Sequence, residues 1–393
     1  MNVYILSVAR RLAEQGIAVD VFTRSRGDGA PDVEAIAPAS RLIRVPAGPR
    51  GPVKKEDLPG LLPSFLGGVL AHAEGDARRH AHSPYDVVHS HYWLSGWVGT
   101  HTKRIWGAPH VASFHTLGKV KNAASQMGQR LEPEVRLRGE QRVVRTADRI
   151  VAPTTTEAEH LVDLYGADPA QISVIAPGVD RRLFVPMPKQ EARRLLRIGD
   201  RRLFLFVGRL QALKGPEIAI RAFADAVRRS PELMVQTVLW LVGGPSGTDS
   251  QGEAERLATL ARALGVADRV SILPPQPHER LPVFYSAAEA VLVPSQSESF
   301  GLTALEAQAC GTPVVATASS GLRHLVLDGE TGFLVEDWDP RGYSEPILSL
   351  LGDPERAAAL SRGAARHASD YSWDSTVAGV RRVYRELLGG SAA

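Results

Sequence analysis

The chain has 393 residues, of which 44% are hydrophobic and 23% are charged, an ordinary composition for a globular protein. Its net charge of +3 is too small to indicate nucleic-acid binding. The single cysteine, Cys310, excludes an internal disulfide and favours a reducing compartment, and we interpret it as a small buried residue. No apolar run reaches the roughly 18 residues of a membrane span, and the first arginines follow the apolar N-terminal residues, the reverse of a secretion signal. These features predict a cytoplasmic protein without a membrane span.

The first half of the chain alternates helical and strand patterns. Apolar residues at helical spacing predict a helix over residues 2–15 with Gly16 as its cap, and a strand follows at IAVDVFTR. Further strands are predicted at DVVHSH, HVASFH, RIVAPT and ISVIAPGVD, with a helix over 133–147. Such alternation is typical of a parallel, doubly wound sheet. Because such a domain normally begins on a central strand, we expect that its first strand and a glycine loop, roughly 20 residues, are missing ahead of Met1.

The second half repeats this rhythm with five buried-type strands, LFLFVG, VLWLVGG, VSILPP, AVLVPS and TPVVAT, and is helical over most of 339–388. Single cores stop growing at about 250 to 300 residues, so a chain of this length predicts two domains. We place them at 1–180 and 181–371, with a C-terminal helix at 372–388 that packs back on the first. The predicted fold class is α/β, with two Rossmann-like domains facing a cleft at the carboxyl ends of their strands.

Two strand-to-helix loops of the second half carry charged residues. In FVGRLQALKG, Arg209 and Lys214 precede a helix whose N-terminus attracts anions. Arg209 can bind a diphosphate through two parallel hydrogen bonds, and Lys214 adds a point charge. Cations placed here would stabilise the charge that develops on a leaving phosphate. The alternative is a solvated basic loop.

The other loop lies in PSQSESFGLTALEAQ. Glu298 precedes the predicted helix and Glu306, eight positions later, falls in its second turn. A carboxylate accepts two hydroxyl hydrogen bonds, as a ribose diol or a sugar requires. The intervening backbone N–H groups would meet phosphate at the helix start, at Phe300, Gly301 and Leu302. Together the two loops predict a nucleotide-sugar site.

With these residues the chain resembles the family 4 retaining glycosyltransferases, which have the GT-B architecture of two Rossmann-like domains. The E-x7-E of Glu298 and Glu306 and the VGRL-x3-KG of Arg209 and Lys214 match the family's donor-side signature. The resemblance implies that Arg209 and Lys214 bind the diphosphate. It also implies that Glu306 holds the ribose and that Glu298 lies beside the donor sugar.

The resemblance covers essentially the whole chain and is strongest to the branch that acts on an inositol phosphate in mycothiol biosynthesis. The matching stretches are MNVYILS, KKEDLP, HSHYWLSG, FHTLGKVKN, GADPAQISVIAPGVD, GRLQALKGP, GGPSG and SESFGLTALEAQACGTPVV. It implies that the phosphate and ring of the acceptor are held by Asn2, Lys55, Tyr92, Thr116 and Arg136. Cations, a phenol, a hydroxyl and an amide are groups suited to binding a phosphate.

The histidines of the first half are interpreted in two ways. His115 ends the strand HVASFH, and the resemblance implies that it lies beside the reacting sugar and acts by hydrogen bonding more than as a general base. His89 and His91 are interpreted as structural residues.

Three features depart from the family pattern. The glycine loop expected ahead of Met1 is absent from this chain. SSGLRHL, with Ser320 and Arg323, stands where such enzymes commonly have GGLP, and Gln276 replaces an arginine near the expected nucleobase pocket. These departures bear on the donor sugar and the acceptor more than on the class of reaction.

The predicted function is retaining transfer of a hexose, N-acetylglucosamine from UDP-GlcNAc, to an inositol phosphate. The partners are a UDP-sugar donor and a small phosphorylated acceptor, and a homodimer is compatible with the sequence. No cofactor is required and no metal ligands are predicted; Mg²⁺ is compatible with the sequence but not implied by it.

Two alternatives stay open. One is a family 4 transferase with another donor or acceptor, such as a sugar phosphate, a sucrose-phosphate-type acceptor, an aminocyclitol or a lipid. The other is a nucleotide-sugar-binding protein without catalysis, if the N-terminal truncation is real. A nicotinamide-dependent dehydrogenase is disfavoured because no G-x-G-x-x-G follows a strand, and GGPSG at 243–247 does not match that pattern.

Overall fold

The computed structural model describes residues 1–75, 83–125, 131–244 and 252–389. They divide into two compact units: Met1–Gly178 together with the segment from Trp373 onward, and Val179–Ser372. Parallel strands connected by helices build most of each unit, so the predicted α/β class is confirmed. The last part of the GGPSG stretch lies outside the described residues.

The first unit begins with a helix, as the sequence predicts. Its helices are α1 (Asn2–Glu14), α2 (Leu62–Gly75), α3 (Trp93–Trp106), α4 (Gly118–Ala124), α5 (Glu134–Thr146) and α6 (Thr155–Tyr165). Its strands are β1 (Val19–Arg24), β2 (Val33–Ala37), β3 (Ser40–Val45), β4 (Val88–His91), β5 (His110–Ser113), β6 (Arg149–Ala152) and β7 (Ile172–Val174).

These strands form two sheets, whereas the sequence predicts a single parallel sheet. One has the order β1-β3-β2 and the other the order β4-β5-β6-β7, and no ladder joins them among the described strands. The second sheet is parallel throughout. In the first, β2 runs antiparallel to β3 because a tight turn at Pro38 and Ala39 joins them, with Ala39 at φ 59°. This short hairpin carries no strong periodic signal, so neither β2 nor β3 was predicted from the sequence.

The second unit has the following helices: α7 (Lys189–Leu195), α8 (Pro216–Arg229), α9 (Gly252–Ala263), α10 (Leu281–Ala287), α11 (Leu302–Ala309), α12 (Ser320–Leu325), α13 (Pro340–Gly352) and α14 (Pro354–Ala368). Its strands are β8 (Arg202–Val207), β9 (Thr237–Val242), β10 (Val270–Leu273), β11 (Ala288–Val293), β12 (Val314–Thr317) and β13 (Gly332–Val335). Five of these strands are predicted from the sequence, and β13 is not: it begins with Gly332 and has only three consecutive apolar residues, Phe333, Leu334 and Val335.

The six strands form one sheet in the order β10-β9-β8-β11-β12-β13, and every pair is parallel. The chain builds outward from β8 through β9 to β10, and then outward on the other side from β11. The order therefore reverses between β8 and β11. In doubly wound sheets, ligands bind beyond the carboxyl ends of the strands at such a reversal.

Strand β8 is buried on both faces. Phe204 and Phe206 belong to a core cluster with residues of α8, α9 and α13. Leu203 and Leu205 point the other way and are also fully buried. Burial on both faces is expected of a central parallel strand covered by helices on either side. This packing holds the end of β8 in place for the loop that follows it.

The last helix, α15 (Trp373–Leu387), belongs to the first unit and packs against α1. The rings of Tyr4 and Trp373 meet edge to face with centroids 5.7 Å apart, and Arg381 Nη1 donates to Gln15 Oε1 over 2.6 Å. Of the helices in the described ranges, none has the length and apolar character needed to cross a membrane.

Candidate functional site

The loop that follows β8 carries two of the predicted donor residues. Arg209 is exposed and Lys214 is half-buried. Gly215 precedes α8 with φ +70°, and Pro216 begins the helix at a position where its missing N–H costs nothing. A Cβ on Gly215 would lie 2.2 Å from the carbonyl oxygen of Pro294. Only glycine combines a favourable positive φ with the absence of a Cβ. Gly215 therefore allows this loop to pack directly against the end of β11.

The second loop joins β11 to α11. The carbonyl oxygen of Glu298 accepts the N–H of Gly321 over 3.0 Å, and a Cβ on Gly321 would lie 2.5 Å from that oxygen. Gly301, at φ +103°, precedes the helix, which begins at Leu302. Phe300 is buried. The predicted phosphate-binding backbone thus lies at a helix start, where N–H groups without intrahelical partners attract anions.

The two loops meet through an ion pair between the Lys214 ammonium and the Glu298 carboxylate. The two side chains are 22% and 23% exposed, and they follow the strands between which the sheet order reverses. A lysine carries three N–H donors, so the contact with Glu298 leaves donors for a phosphate. The structure therefore brings a predicted diphosphate ligand and a predicted sugar ligand into contact.

Glu306 lies in the second turn of α11 and is 7% exposed. Its Oε1 is 2.7 Å from His278 Nε2, and its Oε2 accepts the hydroxyl of buried Tyr285 over 3.0 Å. Each oxygen keeps a lone pair that a ribose hydroxyl can use. The hydrogen bond to Glu306 raises the pKa of His278, although burial opposes it. His278 and Tyr285 could not be predicted from the sequence, because nothing in PHERLPVFY indicates a partner 28 or 21 residues away.

The residues that depart from the family pattern have local partners. Ser320 Oγ donates to the carbonyl oxygen of Glu298 over 3.4 Å. Arg323 forms an ion pair with Glu336 and donates to a backbone carbonyl. Gln276 donates to the carbonyl of Pro274 over 3.0 Å, two residues back in its own loop.

In the first unit, Arg136 joins two further predicted acceptor residues. The arginine is 1% exposed; its Nε donates to Glu140 Oε1 over 2.7 Å and its Nη2 to Thr116 Oγ1 over 3.0 Å. Its guanidinium carbon lies 5.1 Å from the centre of the Tyr92 ring, a cation–π distance. Tyr92 has φ +77°, an uncommon conformation for a bulky residue and one found most often at functional sites.

Lys55 joins this group through Glu132, which the sequence analysis did not identify. Lys55 Nζ is 3.0 Å from Glu132 Oε2; Lys121 Nζ is 3.2 Å and Arg136 Nη1 is 2.7 Å from Oε1. Burial alone would raise the pKa of Glu132, but Arg136, Lys121 and Lys55 outweigh it and lower that pKa to about 2. We call Lys55, Lys121 and Arg136 the cation cluster.

Asn2, the fifth predicted acceptor residue, is exposed at the start of α1. Within the described residues, no hydrogen bond or ion pair joins it to the cation cluster. Two of the five positions that the resemblance assigns to the acceptor, Lys55 and Arg136, thus belong to the cation cluster, and two more, Tyr92 and Thr116, contact Arg136.

The carboxyl ends of β4 and β5 hold the remaining predicted residue. Tyr92 follows β4, and His115, at φ +61°, lies just beyond β5. His115 Nε2 is 3.0 Å from His91 Nδ1. Burial lowers the pKa of His115 to about 3, so its ring is neutral at physiological pH and suited to hydrogen bonding.

The other histidine of this strand has two fixed partners. His89 Nδ1 is 2.7 Å from the Tyr384 hydroxyl and its Nε2 is 2.9 Å from Ser113 Oγ. Both ring nitrogens are thus occupied, which agrees with a structural role. His91, also interpreted as structural, instead contacts the predicted catalytic histidine.

Cys310 is buried, as expected, and burial raises the pKa of its thiol to about 12. A thiol so far from ionisation is not a nucleophile. Over the described ranges, no group of three or more His, Cys, Asp or Glu side chains is arranged to hold a metal ion.

One unit is a six-stranded doubly wound domain with a cation and a carboxylate paired at its reversal point, and the other is an α/β unit that contains the partly buried cation cluster. These features are typical of a glycosyltransferase with two Rossmann-like domains. Residues 1–183 match the family described as Glycosyltransferase Family 4, and residues 188–367 match Glycosyl transferases group 1. The chain belongs to this family of glycosyltransferases.

Two similar relatives carry the same name. The D-inositol 3-phosphate glycosyltransferase of Thermobispora bispora is 47% identical over 99% of this chain and 90% of its own length. The protein of that name from Acidothermus cellulolyticus is 50% identical over 99% of this chain and 86% of its own length.

Solved structures of similar fold include sucrose-phosphate synthase from Thermosynechococcus elongatus, with a TM-score of 0.88 and 33% identity, covering 99% of this chain and 93% of that one. The Anabaena protein HepE, solved with UDP and glucose, has a TM-score of 0.75 over 97% of this chain and 94% of its own. At 20% identity, HepE supports the fold alone.

Proposed function

We propose that the protein transfers N-acetylglucosamine from UDP-GlcNAc to D-inositol 3-phosphate with retention of the anomeric configuration. The observation that carries the acceptor half is the cation cluster, in which Lys55 and Arg136 lie at positions that the resemblance assigns to the acceptor. The relatives named D-inositol 3-phosphate glycosyltransferase align over 99% of the chain, including this unit. Their name supports an inositol phosphate as the acceptor.

The first unit would bind the acceptor through its phosphate. The Arg136 guanidinium is held by Glu140, Thr116 and the Tyr92 ring, so its orientation is set before a ligand arrives. An arginine fixed in this way binds phosphate through parallel, charge-assisted hydrogen bonds at little entropic cost. Lys55 is 53% exposed and can move toward the ligand.

The second unit would bind the donor. Arg209 and Lys214 would contact the diphosphate beside the N-terminus of α11. During transfer, the bond between the anomeric carbon and the β-phosphate oxygen breaks, and negative charge develops on the departing UDP. Cations fixed at this position stabilise that charge more in the transition state than in the ground state.

The two glutamates would bind hydroxyl groups of the donor. Glu306 would accept the ribose hydroxyls while His278 and Tyr285 keep its carboxylate in one orientation. Glu298 would lie by the donor sugar, held by Lys214.

Retention follows if the acceptor hydroxyl attacks from the face that the diphosphate leaves. The new bond then forms between the anomeric carbon and the acceptor oxygen, and the hydroxyl proton passes to the departing phosphate oxygen. The Glu298 carboxylate is engaged by a cation and is a poorer nucleophile for it, which favours this front-side route over a covalent intermediate. Neutral His115 would contribute a hydrogen bond to the sugar.

A second candidate, synthesis of a sucrose phosphate, is favoured by the similarity in structure to sucrose-phosphate synthase at 33% identity. Both candidates break a bond between an anomeric carbon and a nucleoside diphosphate, but a sucrose phosphate requires a glucosyl donor and a fructose phosphate acceptor, so donor and acceptor together distinguish them.

The test is an assay of UDP release from UDP-GlcNAc, and in parallel from UDP-glucose, with single acceptors. We expect release with D-inositol 3-phosphate and little with myo-inositol, a hexose phosphate or a lipid acceptor. Equal turnover with a hexose phosphate or a lipid would overturn the acceptor assignment. Calorimetric UDP binding without turnover on any acceptor would instead favour a binding protein, and proton NMR of the product would decide retention.

A further inference from the structure

The Glu132 carboxylate lies among three cations that come from three separate segments. Lys55 belongs to the loop after β3, Lys121 to α4 and Arg136 to α5. Their nitrogens lie 3.0, 3.2 and 2.7 Å from the two carboxylate oxygens. Glu132 itself is only 14% exposed. A surface ion pair does not gather three cations around one partly buried oxyanion.

The contact with Arg136 is close but poorly oriented. Nη1 is 2.7 Å from Glu132 Oε1, yet among the described residues this buried nitrogen makes no hydrogen bond of acceptable geometry. A buried donor left in this state carries an energetic cost that a better-placed oxyanion would remove. The guanidinium therefore retains unused donor capacity at Nη1, beside the Glu132 carboxylate.

We propose that Glu132 occupies the acceptor's phosphate position before the acceptor binds, and that Lys121 is a further phosphate ligand beside Lys55 and Arg136. This rests on the proposed function, because it takes the cation cluster as the acceptor site. Carboxylate and phosphate oxygens accept the same charge-assisted hydrogen bonds from lysine and arginine. A phosphate carries more negative charge than a carboxylate and has three acceptor oxygens, so it would bind the three cations more strongly than a single carboxylate does.

The exchange requires only a side-chain movement. The backbone of Glu132 is held by Asn122, whose Oδ1 accepts the Glu132 N–H over 2.7 Å and whose Nδ2 lies 3.5 Å from the Glu132 carbonyl oxygen. Once a phosphate contacts the cations, the Glu132 carboxylate would face a like charge and rotate toward solvent. Its backbone stays in place.

The Glu132 carboxylate would also make the site selective among anions. Without it, three cations in a partly buried cluster would attract any small anion. An attached competitor has a high effective concentration, of the order of millimolar or more for a short tether. Singly charged anions would then be excluded, while a phosphorylated acceptor still binds.

The alternative role is that Glu132 permanently organises the cations. The two roles predict opposite changes in the KM for the acceptor when the Glu132 charge is removed. The first variant is Glu132→Gln, which keeps the shape and removes the charge. We expect the KM for D-inositol 3-phosphate to fall about tenfold with kcat unchanged, since a charged competitor is lost. A higher KM in a variant whose thermal melting matches the wild type would overturn the proposal.

The second pair of variants tests Lys121. We expect Lys121→Gln to raise the KM for D-inositol 3-phosphate at least tenfold without changing the KM for UDP-GlcNAc. Lys119→Gln is the matched control: Lys119 lies on the same helix, but its ammonium is 3.4 Å from Gln141 and also contacts the Leu164 carbonyl. An equal effect of the two substitutions would assign the change to helix α4 and overturn the role of Lys121.

Calorimetry with inorganic phosphate separates this proposal from the proposed function. We expect phosphate to bind Glu132→Gln more tightly, and Lys121→Gln more weakly, than the wild type, whichever acceptor the enzyme uses. If transfer to inositol phosphate is absent but this order holds, the proposed acceptor is wrong and the phosphate site stands. Weaker phosphate binding by Glu132→Gln overturns the proposal even if transfer is observed.

Discussion

The Lys214 ammonium and the Glu298 carboxylate form an ion pair across 84 residues of sequence. Each side chain lies on the loop after one of the two strands between which the sheet order reverses. The pair holds the side chains proposed to contact the diphosphate and the donor sugar in one position before the donor binds. Catalytic electrostatics depends on such preorganisation, because groups already in place need no rearrangement as charge develops.

Replacing Lys214 tests this directly. We expect Lys214→Met to lower kcat by about 10²- to 10³-fold, because one donor to the leaving diphosphate is lost. The matched control is Lys189→Met, in which a lysine of the same unit loses its ion pair with Glu289. Steady-state rates of UDP release measure both. A Lys214→Met enzyme within about threefold of the control would contradict the role of Lys214.

The contacts of Glu306 predict a difference between two substitutions. Glu306→Ala leaves the fully buried Tyr285 hydroxyl without its acceptor, so we expect a loss of about 1 to 3 kcal/mol in the free energy of unfolding. Glu306→Gln keeps an acceptor oxygen and should lose less stability while still raising the KM for the donor. Urea unfolding of both variants, with exposed Glu355→Ala as the reference, measures the difference. Equal stability of the Ala and Gln variants would contradict the importance of the Tyr285–Glu306 hydrogen bond for stability.

The pKa of His278 is raised above its usual 6.5, first by its hydrogen bond to Glu306 and further by the charges of Glu279 and Asp180. A group whose pKa is raised on folding stabilises the fold fully below its unfolded pKa, and this contribution is lost as the pH rises through the folded value. We therefore expect His278→Gln to be destabilised relative to the wild type more at about pH 6 than at about pH 9. Melting temperatures of the wild type and of His278→Gln across this pH range measure the destabilisation. A destabilisation that grows with pH would exclude the His278–Glu306 pair as its origin.

Gly215 and Gly265 provide a matched pair for backbone geometry. Both have positive φ, +70° and +72°, but a Cβ on Gly215 would lie 2.2 Å from a backbone oxygen while a Cβ on Gly265 has nothing within 4 Å. Gly265→Ala should cost about 1 to 2 kcal/mol from left-handed strain alone. Gly215→Ala should cost clearly more, and the shifted loop should weaken UDP binding. Similar melting temperatures and similar calorimetric UDP affinities for both variants would refute the clash.

The proposed donor residues can be recognised in the sequence because each belongs to a local pattern. Arg209 and Lys214 lie between two glycines after a buried strand, and Glu298 precedes a glycine that begins a helix. The partners of Glu306 could not be predicted in this way. His278 and Tyr285 lie 28 and 21 residues away and belong to no motif.

The first unit likewise contains residues that the sequence indicates and others that only the structure reveals. Tyr92, Thr116 and Arg136 were identified through the resemblance, whereas Glu132 and Lys121 become visible only where α4, α5 and the loop after β3 meet. The separation of its strands into two sheets was likewise not predictable, because a strand pattern indicates a strand but not the edge with which it pairs.

The sequence by itself determined the alternation of strands and helices, the glycine-bearing turns and the charges that follow the strands. These follow from periodicity and backbone conformation, which act over a few neighbouring residues. Only the tertiary structure decided that Lys214 pairs with Glu298, that His278 orients Glu306 and that three cations surround Glu132. Those contacts depend on which surfaces pack together, and the burial that strengthens their electrostatics exists only after the chain has folded.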